Sequence, residues 1–179
     1  MKYSVLPIKE INEIHIFELL DIRNLWDVRC QMFDIESISR IKHELWVEKR
    51  IDSFGETDES YLILNSNGKA SGFFRYWFDM DYGSGNWSMY TDTRVKNSSL
   101  GVLTEYLALK SYFKSRFASS GEIISEVKPL NPILSLHKKF GFTVSRESHN
   151  IIIMRLLFKD YLESSAKVES TLLKRFGNL

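Results

Sequence analysis

The sequence predicts an α+β fold, in which helices flank a mixed, mostly antiparallel sheet and one extra helix ends the chain. Three strand-like runs follow one another in the middle of the chain, at residues 61–64, 70–78 and 86–91. Asn67-Gly68 lies between the first two runs, and this pair is typical of a hairpin turn because it tolerates positive φ. Runs of antiparallel strands joined by a few helices are typical of the α+β class. The 179 residues, 44% hydrophobic and 26% charged, suit one globular domain with a sizeable core.

The N-terminal part of the chain is predicted to form a short strand and two helices. Residues 3–8 favour the strand. Between residue 11 and about residue 33 the apolar side chains recur at steps of three and four, which indicates a helix. These side chains are Ile14, Phe17, Leu20, Ile22 and Leu25. A second helix follows, with Ser37 or Ser39 as its N-cap and with Ile41 and Leu45 at helical spacing.

The clearest helix of the chain covers residues 100–117. Its apolar stripe is formed by Val102, Tyr106, Leu109, Phe113 and Phe117. After it we expect four further elements: a strand at 122–127, a helix at 133–140, and an antiparallel pair of strands at 142–146 and 150–157. Together with the N-terminal elements, they complete the predicted sheet.

The C-terminal residues favour one more amphipathic helix. The predicted domain therefore covers residues 1–158, and a helical extension covers residues 159–179. If the apolar stripe of this extension is exposed in the monomer, we expect it to form a homodimer contact.

Composition argues against several classes of partner. The formal net charge of +1 is no reason to expect a nucleic acid or an acidic membrane as the main partner. No apolar run approaches the ~20 residues of a membrane helix, and the N-terminus lacks the features of a secretion signal. Cys30 is the single cysteine, which fits a reducing compartment, so we expect a cytoplasmic protein. The four histidines are scattered and suggest no metal site.

Two motifs carry the functional prediction. In the first, an apolar strand ends at Val127, a helix begins near Asn131, and Gly141-Phe142 ends the helix and starts a new strand. In the second, about thirty residues upstream, the turn 96–101 opens the long helix. The first N–H groups of a helix have no partner within the helix and lie at the positive end of its dipole, so such a turn can bind a pyrophosphate.

These two motifs resemble the acyl-CoA site of the GNAT superfamily of N-acyltransferases, and the order of elements between Tyr3 and Leu157 is similar as well. In that family the turn has the form Arg/Gln-x-x-Gly-x-Gly/Ala, and the later motif has an Asn followed by Leu-Tyr-x-Lys-x-Gly-Phe. This chain has Lys96, Ser99 and His137 where the family has Arg or Gln, Gly and Tyr. The resemblance implies acetyl-CoA as co-substrate and no metal.

The resemblance also implies which residues bind the cofactor. The pantetheine arm would lie between the fourth and fifth strands, and a backbone N–H of the fourth strand would stabilise the oxyanion, an effect often worth about 3 kcal/mol. The implied cofactor residues are Met89, Tyr90, Thr91, Lys96, Ser98, Ser99, Leu100, Gly101, Val102, Asn131 and Lys138.

Three residues are candidates for proton transfer. His137 occupies the position of the family's Tyr, the acid that protonates the departing CoA thiolate. With a reference pKa of about 6.5, a histidine can donate a proton, although a solvent-facing histidine without a chemical role is the alternative. His43 and Glu126 are candidate bases that would deprotonate the acceptor amine, directly or through water.

The acceptor side resembles a GNAT branch that acetylates the 4-amino group of nucleotide-linked deoxy sugars in pathways to pseudaminic and other sialic-acid-like sugars. The resemblance lies in Arg23-Asn24 and Arg29, followed by Ser39, His43 and Trp46. It implies a nucleotide-linked amino sugar as the small-molecule acceptor, with arginines at its phosphates. The implied aromatic contacts are Trp46, Tyr76 and Trp87.

Other functions remain open at this point. A peptide N-terminus or a polyamine are alternative acceptors. A degenerate module that binds CoA without catalysis and a purely structural α+β interaction domain are the alternatives from other classes.

Overall fold

The computed structural model describes residues 3–95 and 99–176. Its strands are β1 (Ser4–Pro7), β2 (Asp58–Leu64), β3 (Ala70–Asp79), β4 (Ser84–Thr91), β5 (Glu122–Val127), β6 (Thr143–Glu147) and β7 (Ile152–Leu157). Its helices are α1 (Glu13–Asn24), α2 (Trp26–Arg29), α3 (Arg40–Asp52), α4 (Leu100–Tyr112), α5 (Ile133–Lys139) and α6 (Phe158–Phe176), with short 3₁₀ turns at Ile8–Glu10 and Arg116–Ser120.

The strands form one seven-stranded mixed sheet in the order β1-β2-β3-β4-β5-β7-β6. The β1–β2, β5–β7 and β6–β7 pairs are antiparallel, whereas β4 and β5 run parallel. The predicted α+β class with a mostly antiparallel sheet and a C-terminal helix is confirmed. The chain divides into two compact units, unit 1 (Met1–Tyr76 and Ser88–Glu105) and unit 2 (Trp77–Trp87 and Tyr106–Leu179).

Unit 1 has its own apolar core. The side chains that form this core are Ile8, Leu19, Ile22, Val28, Val47, Leu62, Leu64, Ala70 and Phe73. Asn12 caps α1, accepting a hydrogen bond from the backbone N–H of His15 at 3.1 Å. Ser39 caps α3 through the N–H of Lys42, so of the two predicted caps Ser39 is the one used.

The predicted helix over residues 11–33 is wrong in its extent. Leu25, with φ −57° and ψ 136°, is extended and separates α1 from α2, which ends at Arg29. Side chains hydrogen-bond the backbone of the loop between α2 and α3. The Asn24 amide accepts from the N–H of Ile38 and donates to its carbonyl, each at 2.8 Å. These bonds satisfy loop backbone that a continuous helix would have satisfied internally.

Unit 2 contains the end of α4, α5, α6 and the β5–β7–β6 part of the sheet. The helix α4 ends at Tyr112 and does not reach the predicted Phe117. Ser115 caps the 3₁₀ turn that follows, and its side chain accepts a hydrogen bond from the N–H of Phe117 at 3.2 Å. A serine cap of this kind favours a new helical start over continuation of the old helix.

The C-terminal helix α6 begins at Phe158 and packs within unit 2. Tyr161 and Leu172 are buried, and the ring of Tyr161 stacks on Phe113 at 4.8 Å between centroids. Leu162 and Leu173 of the same helix are exposed. The boundary at 158/159 and the homodimer contact therefore stay predictions. No helix of the described ranges is both long and apolar enough to cross a membrane.

Candidate active site

The parallel strands β4 and β5 pair over a short stretch in unit 2. Their ladder comprises Gly85↔Ile123 and Asn86↔Ile124. On its other side β5 stays paired with β7 as far as Val127↔Ile152. The residues that follow this ladder are Trp87 on β4 and Ser125 on β5.

His137 of α5 contacts both of these residues. Its Nε2 lies 3.1 Å from the Oγ of Ser125, and its ring centroid lies 5.2 Å from that of Trp87. The ring also stacks on Phe142 at 4.9 Å, and His137 is only 2% exposed. The solvent-facing alternative is therefore wrong for the position of this side chain, while its catalytic role stays a prediction.

The Gly141-Phe142 pair explains how the chain brings the aromatic ring to His137. Gly141 has φ +93°, a left-handed conformation that ends α5 and that residues with a side chain rarely adopt. The N–H groups of Phe140 and Phe142 both donate to the carbonyl of His137, at 3.0 and 3.1 Å. The chain thus folds back over α5 and lays the Phe142 ring on the imidazole.

Trp87 has an indole N–H without a partner. Nε1 is buried and no described residue accepts a hydrogen bond from it. A buried donor without an acceptor costs about 1–3 kcal/mol, so such groups call for an explanation. The ring that carries this unpaired N–H is the one that packs against His137.

Glu126 is held by a tyrosine from the β3–β4 turn. The hydroxyl of Tyr82 donates to its carboxylate at 2.7 Å. That bond is the main cause of a raised pKa of Tyr82, with burial second. Asp79 braces the turn, accepting from the N–H of Asp81 at 3.0 Å and from the Asn86 amide at 3.2 Å. Sequence reasoning missed Tyr82, because a turn residue carries no periodic signal.

The remaining predicted cofactor residues of unit 2 lie at α5. The side chain of Asn131 accepts from the N–H of Ile133 at 3.0 Å, which satisfies one of the open N–H groups at the start of the helix. Lys138 is exposed on the helix surface.

In unit 1, the predicted cofactor residues lie on β4 and at the start of α4. Those on β4 are Met89, Tyr90 and Thr91, all partly exposed, and those on α4 and just before it are Ser99, Leu100, Gly101 and Val102. The Ser99 carbonyl accepts an α-helical bond from the N–H of Leu103 at 2.8 Å. Lys96 and Ser98 lie outside the described residues.

Three residues of the predicted acceptor pattern hold the loop between α2 and α3. Arg23 Nη2 donates to the carbonyl of Asp34 at 3.1 Å, and Arg29 Nη1 donates to that of Ile35 at 3.0 Å. Asn24 holds Ile38 as described above. The Nη1 of Arg23 and the Nε of Arg29 are buried with no partner among the described residues. Burial is the main cause of a lowered pKa of Arg23, and the charge of Arg29 lowers it further.

His43 is buried beside these groups in unit 1. Its Nε2 lies 3.1 Å from the carbonyl of Ile16, and its ring stacks on Trp46 at 5.7 Å. Because a carbonyl only accepts, Nε2 carries a hydrogen and Nδ1 holds the free electron pair of the neutral ring. Burial is the main cause of a lowered pKa of His43, partly offset by the Ile16 bond.

Tyr76 is placed in the core. It is 1% exposed, and its hydroxyl donates to the carboxylate of Glu59 at 2.5 Å. Within residues 3–95 and 99–176, no group of three or more His, Cys, Asp or Glu side chains is arranged to hold a metal ion.

No protein-family model matches the sequence, and no curated protein matches it. Solved structures are similar in fold. Spermidine N-acetyltransferase from Vibrio cholerae, in complex with CoA and spermine, superposes with a TM-score of 0.73 at 13% identity, over 90% of this chain and 98% of its own. FdhC, a nucleotide-linked sugar GNAT in the apo form, superposes with a TM-score of 0.73 at 16% identity, over 94% of this chain and 93% of its own.

A third similar structure, AAC(6')-Ib in complex with ribostamycin and coenzyme A, gives a TM-score of 0.70 at 12% identity, over 92% of this chain and 98% of its own. These three proteins cover nearly the whole chain, with TM-scores of 0.70 to 0.73. The chain has the GNAT fold.

Proposed function

We propose that this chain is an N-acetyltransferase that moves an acetyl group from acetyl-CoA to a primary amine. The observation that carries the proposal is the similarity in fold, over nine-tenths of the chain or more, to N-acetyltransferases solved with CoA or with their amines. The enclosed imidazole beyond the β4–β5 ladder supports it, because GNAT-like transfer needs a proton donor for the departing thiolate.

Cofactor binding is assigned to the start of α4 and to β4. The N–H groups at a helix start attract a pyrophosphate, and α4 starts at Leu100, beside Ser99, Gly101 and Val102. Lys96 and Ser98 would add charge and a hydroxyl. The backbone of Met89, Tyr90 and Thr91 would hold the pantetheine arm and stabilise the oxyanion, with Asn131 and Lys138 as further contacts.

The reaction proceeds by direct attack in a ternary complex. The amine nitrogen attacks the thioester carbon, the carbon–sulfur bond breaks, and its electron pair leaves on sulfur. The ammonium proton passes to a base, for which His43 is suited because its lowered pKa keeps it neutral near pH 7. Glu126, held by Tyr82, is the second candidate base, and His137 is the proton donor to sulfur.

For the acceptor we favour a nucleotide-linked amino sugar over a polyamine. Two guanidinium groups, Arg23 and Arg29, lie close enough to lower the pKa of one of them, and each has an unpaired buried nitrogen. Such a pair attracts phosphate and repels a polycation. FdhC, with the same TM-score as the spermidine enzyme, is a nucleotide-linked sugar GNAT.

Calorimetric titration with acetyl-CoA tests the cofactor assignment. We expect micromolar binding that is lost in Lys96→Glu and in Ser99→Pro and retained in Lys69→Glu, which makes the same charge change on the exposed β2–β3 turn. Absence of binding in the unmodified protein would overturn the proposed function and leave the structural interaction domain.

Thiol release then tests the acceptor. The probes are a uridine-diphosphate-linked 4-amino sugar, spermine, and a peptide with a free N-terminus. Release with the sugar nucleotide alone supports the acceptor assignment, whereas release with either of the others reassigns it. Acetyl-CoA binding without release with any amine of a broad panel favours the non-catalytic CoA-binding module.

A further inference from the structure

We propose that the hydroxyl of Ser125 passes a proton from His137 to the leaving sulfur. The inference rests on the proposed function and deepens it, since it concerns how this chain protonates the thiolate. Nothing in the motifs points to Ser125, which lies in the middle of an apolar strand.

Ser125 and His137 form a hydrogen-bonded pair in the interior of unit 2. Ser125 is 4% exposed and His137 2% exposed, and 3.1 Å separates Oγ from Nε2. The rings of Trp87 and Phe142, at 5.2 and 4.9 Å, pack against the imidazole and restrict its rotation. With the ring restricted, Nε2 stays directed at the hydroxyl.

A hydroxyl partner suits a group that gains and loses a proton. A serine Oγ donates to the bare Nε2 of a neutral imidazole, and it accepts from Nε2–H once the ring is protonated. His43 offers the contrast, because the Ile16 carbonyl at its Nε2 accepts only. The Ser125 bond therefore persists in both protonation states of His137, so proton transfer does not leave a buried nitrogen unpaired.

Trp87 provides an independent sign that a polar ligand atom belongs here. Its buried Nε1–H has no acceptor among the described residues, and its ring centroid lies 5.2 Å from that of His137. An oxygen or sulfur of a bound thioester would satisfy this donor. The first residues beyond the β4–β5 ladder thus supply a proton carrier and an open donor side by side.

Breakage of the carbon–sulfur bond leaves the electron pair on sulfur. The thiolate takes the hydroxyl hydrogen of Ser125, and the Oγ takes the Nε2 hydrogen of the His137 imidazolium in its place. His137 becomes neutral, and its bare Nε2 then accepts a hydrogen bond from the Ser125 hydroxyl. The imidazolium is restored from solvent, which also receives the proton that the acceptor amine released to the base.

NMR of ¹⁵N-histidine-labelled protein tests the proposal without an acceptor. The probes are CoA and desulfo-CoA, which lacks the thiol. His137→Gln assigns the His137 signals among the four histidines. In the unmodified protein we expect CoA to move the titration midpoint of His137 and desulfo-CoA to move it less. In Ser125→Ala this difference should be lost, and Ser125→Thr, which keeps the hydroxyl, should restore it.

The outcomes distinguish the role of His137 and Ser125 from the proposed function itself. Equal responses to CoA and desulfo-CoA, with CoA binding seen by calorimetry, would overturn the role of His137 and Ser125 and leave the proposed function standing. A Ser125→Ala protein that titrates like the unmodified one would overturn the role of Ser125. Failure of CoA to bind at all would overturn the proposed function and this inference with it.

Discussion

Gly85 and Tyr112 are in direct contact at the start of the β4–β5 ladder: a Cβ placed on Gly85 would lie 2.0 Å from the Tyr112 hydroxyl oxygen. That hydroxyl also lies 2.6 Å from the carbonyl of Glu122 and 3.0 Å from that of Phe117. Burial raises the pKa of Tyr112 to about 12. Tyr112 therefore joins the end of α4 to the strands beside it through a contact that only glycine permits.

Gly85→Ala is expected to destabilise the protein by about 3 kcal/mol, the upper end of the cost of overpacking, because the ring that must move is held by two carbonyls. The measurement is the free energy of unfolding in urea. Gly72→Ala is the matched control within a strand, since its nearest atoms would lie 3.3 Å away. Equal losses in the two variants would contradict the contact.

His43 is expected to lower the free energy of unfolding as the pH is lowered. Because its pKa is lowered in the folded protein, the unfolded chain binds more protons as pH drops through about 6.5, and the stability present above that value is lost below it. Urea unfolding at pH 7.5 and 5.5 measures the effect. His43→Gln should flatten the dependence, whereas His149→Gln, in the exposed β6–β7 turn, should leave it unchanged.

Asp58 balances two arginines in the interior of unit 1. Its carboxylate is 0% exposed and accepts hydrogen bonds from Arg50 and Arg75, the latter at 2.9 Å. Removal of one partner from a buried ion pair leaves an uncompensated charge, so we expect Asp58→Ala to cost about 3–5 kcal/mol in urea unfolding. Asp52→Ala, at the exposed end of α3, is the control. A loss below 1 kcal/mol would show that water reaches the arginines.

Adjacent leucines of α6 test whether the C-terminal helix belongs to the domain. Leu172 is 1% exposed and Leu173 42% exposed. Leu172→Ala should cost about 3 kcal/mol of unfolding free energy, and Leu173→Ala less than about 0.5 kcal/mol. If Leu173→Ala lowers stability as much as Leu172→Ala and does so more strongly at higher protein concentration, the exposed stripe is a dimer contact instead.

Several elements followed from local chemistry alone. The β2–β3 hairpin is where Asn67-Gly68 predicts it, with Gly68 at φ +74° and Asn65 accepting from the N–H of Asn67. The start of α4 at Leu100 was also predicted correctly. Its end was not, because the apolar spacing continues to Phe117 while the Ser115 cap and the Tyr112 contact end the helix earlier. Periodicity detects an apolar face but not the side-chain bonds that interrupt it.

The candidate active site was also only partly predictable from the sequence. His137 was recognisable from its place before Gly141-Phe142, but its hydroxyl partner was not, because Ser125 and His137 meet only through the packing of α5 on β5. Arg23, Asn24 and Arg29, whose contact with the acceptor stays a prediction, also hold the loop between α2 and α3, a role that no sequence pattern indicated. A sequence shows which residues can donate hydrogen bonds, whereas the group that accepts each bond depends on where a distant loop lies.

The sequence by itself determined the order of the seven strands, the hairpin turn and the C-terminal helix, since backbone propensity and apolar spacing act over a few neighbouring residues. Only the tertiary structure decided which residues surround His137. Trp87, Ser125 and Phe142 come from β4, from β5 and from the segment after α5, and strand register together with helix packing brings them to one ring. Such contacts arise from close packing of side chains far apart in the chain, which no local pattern records.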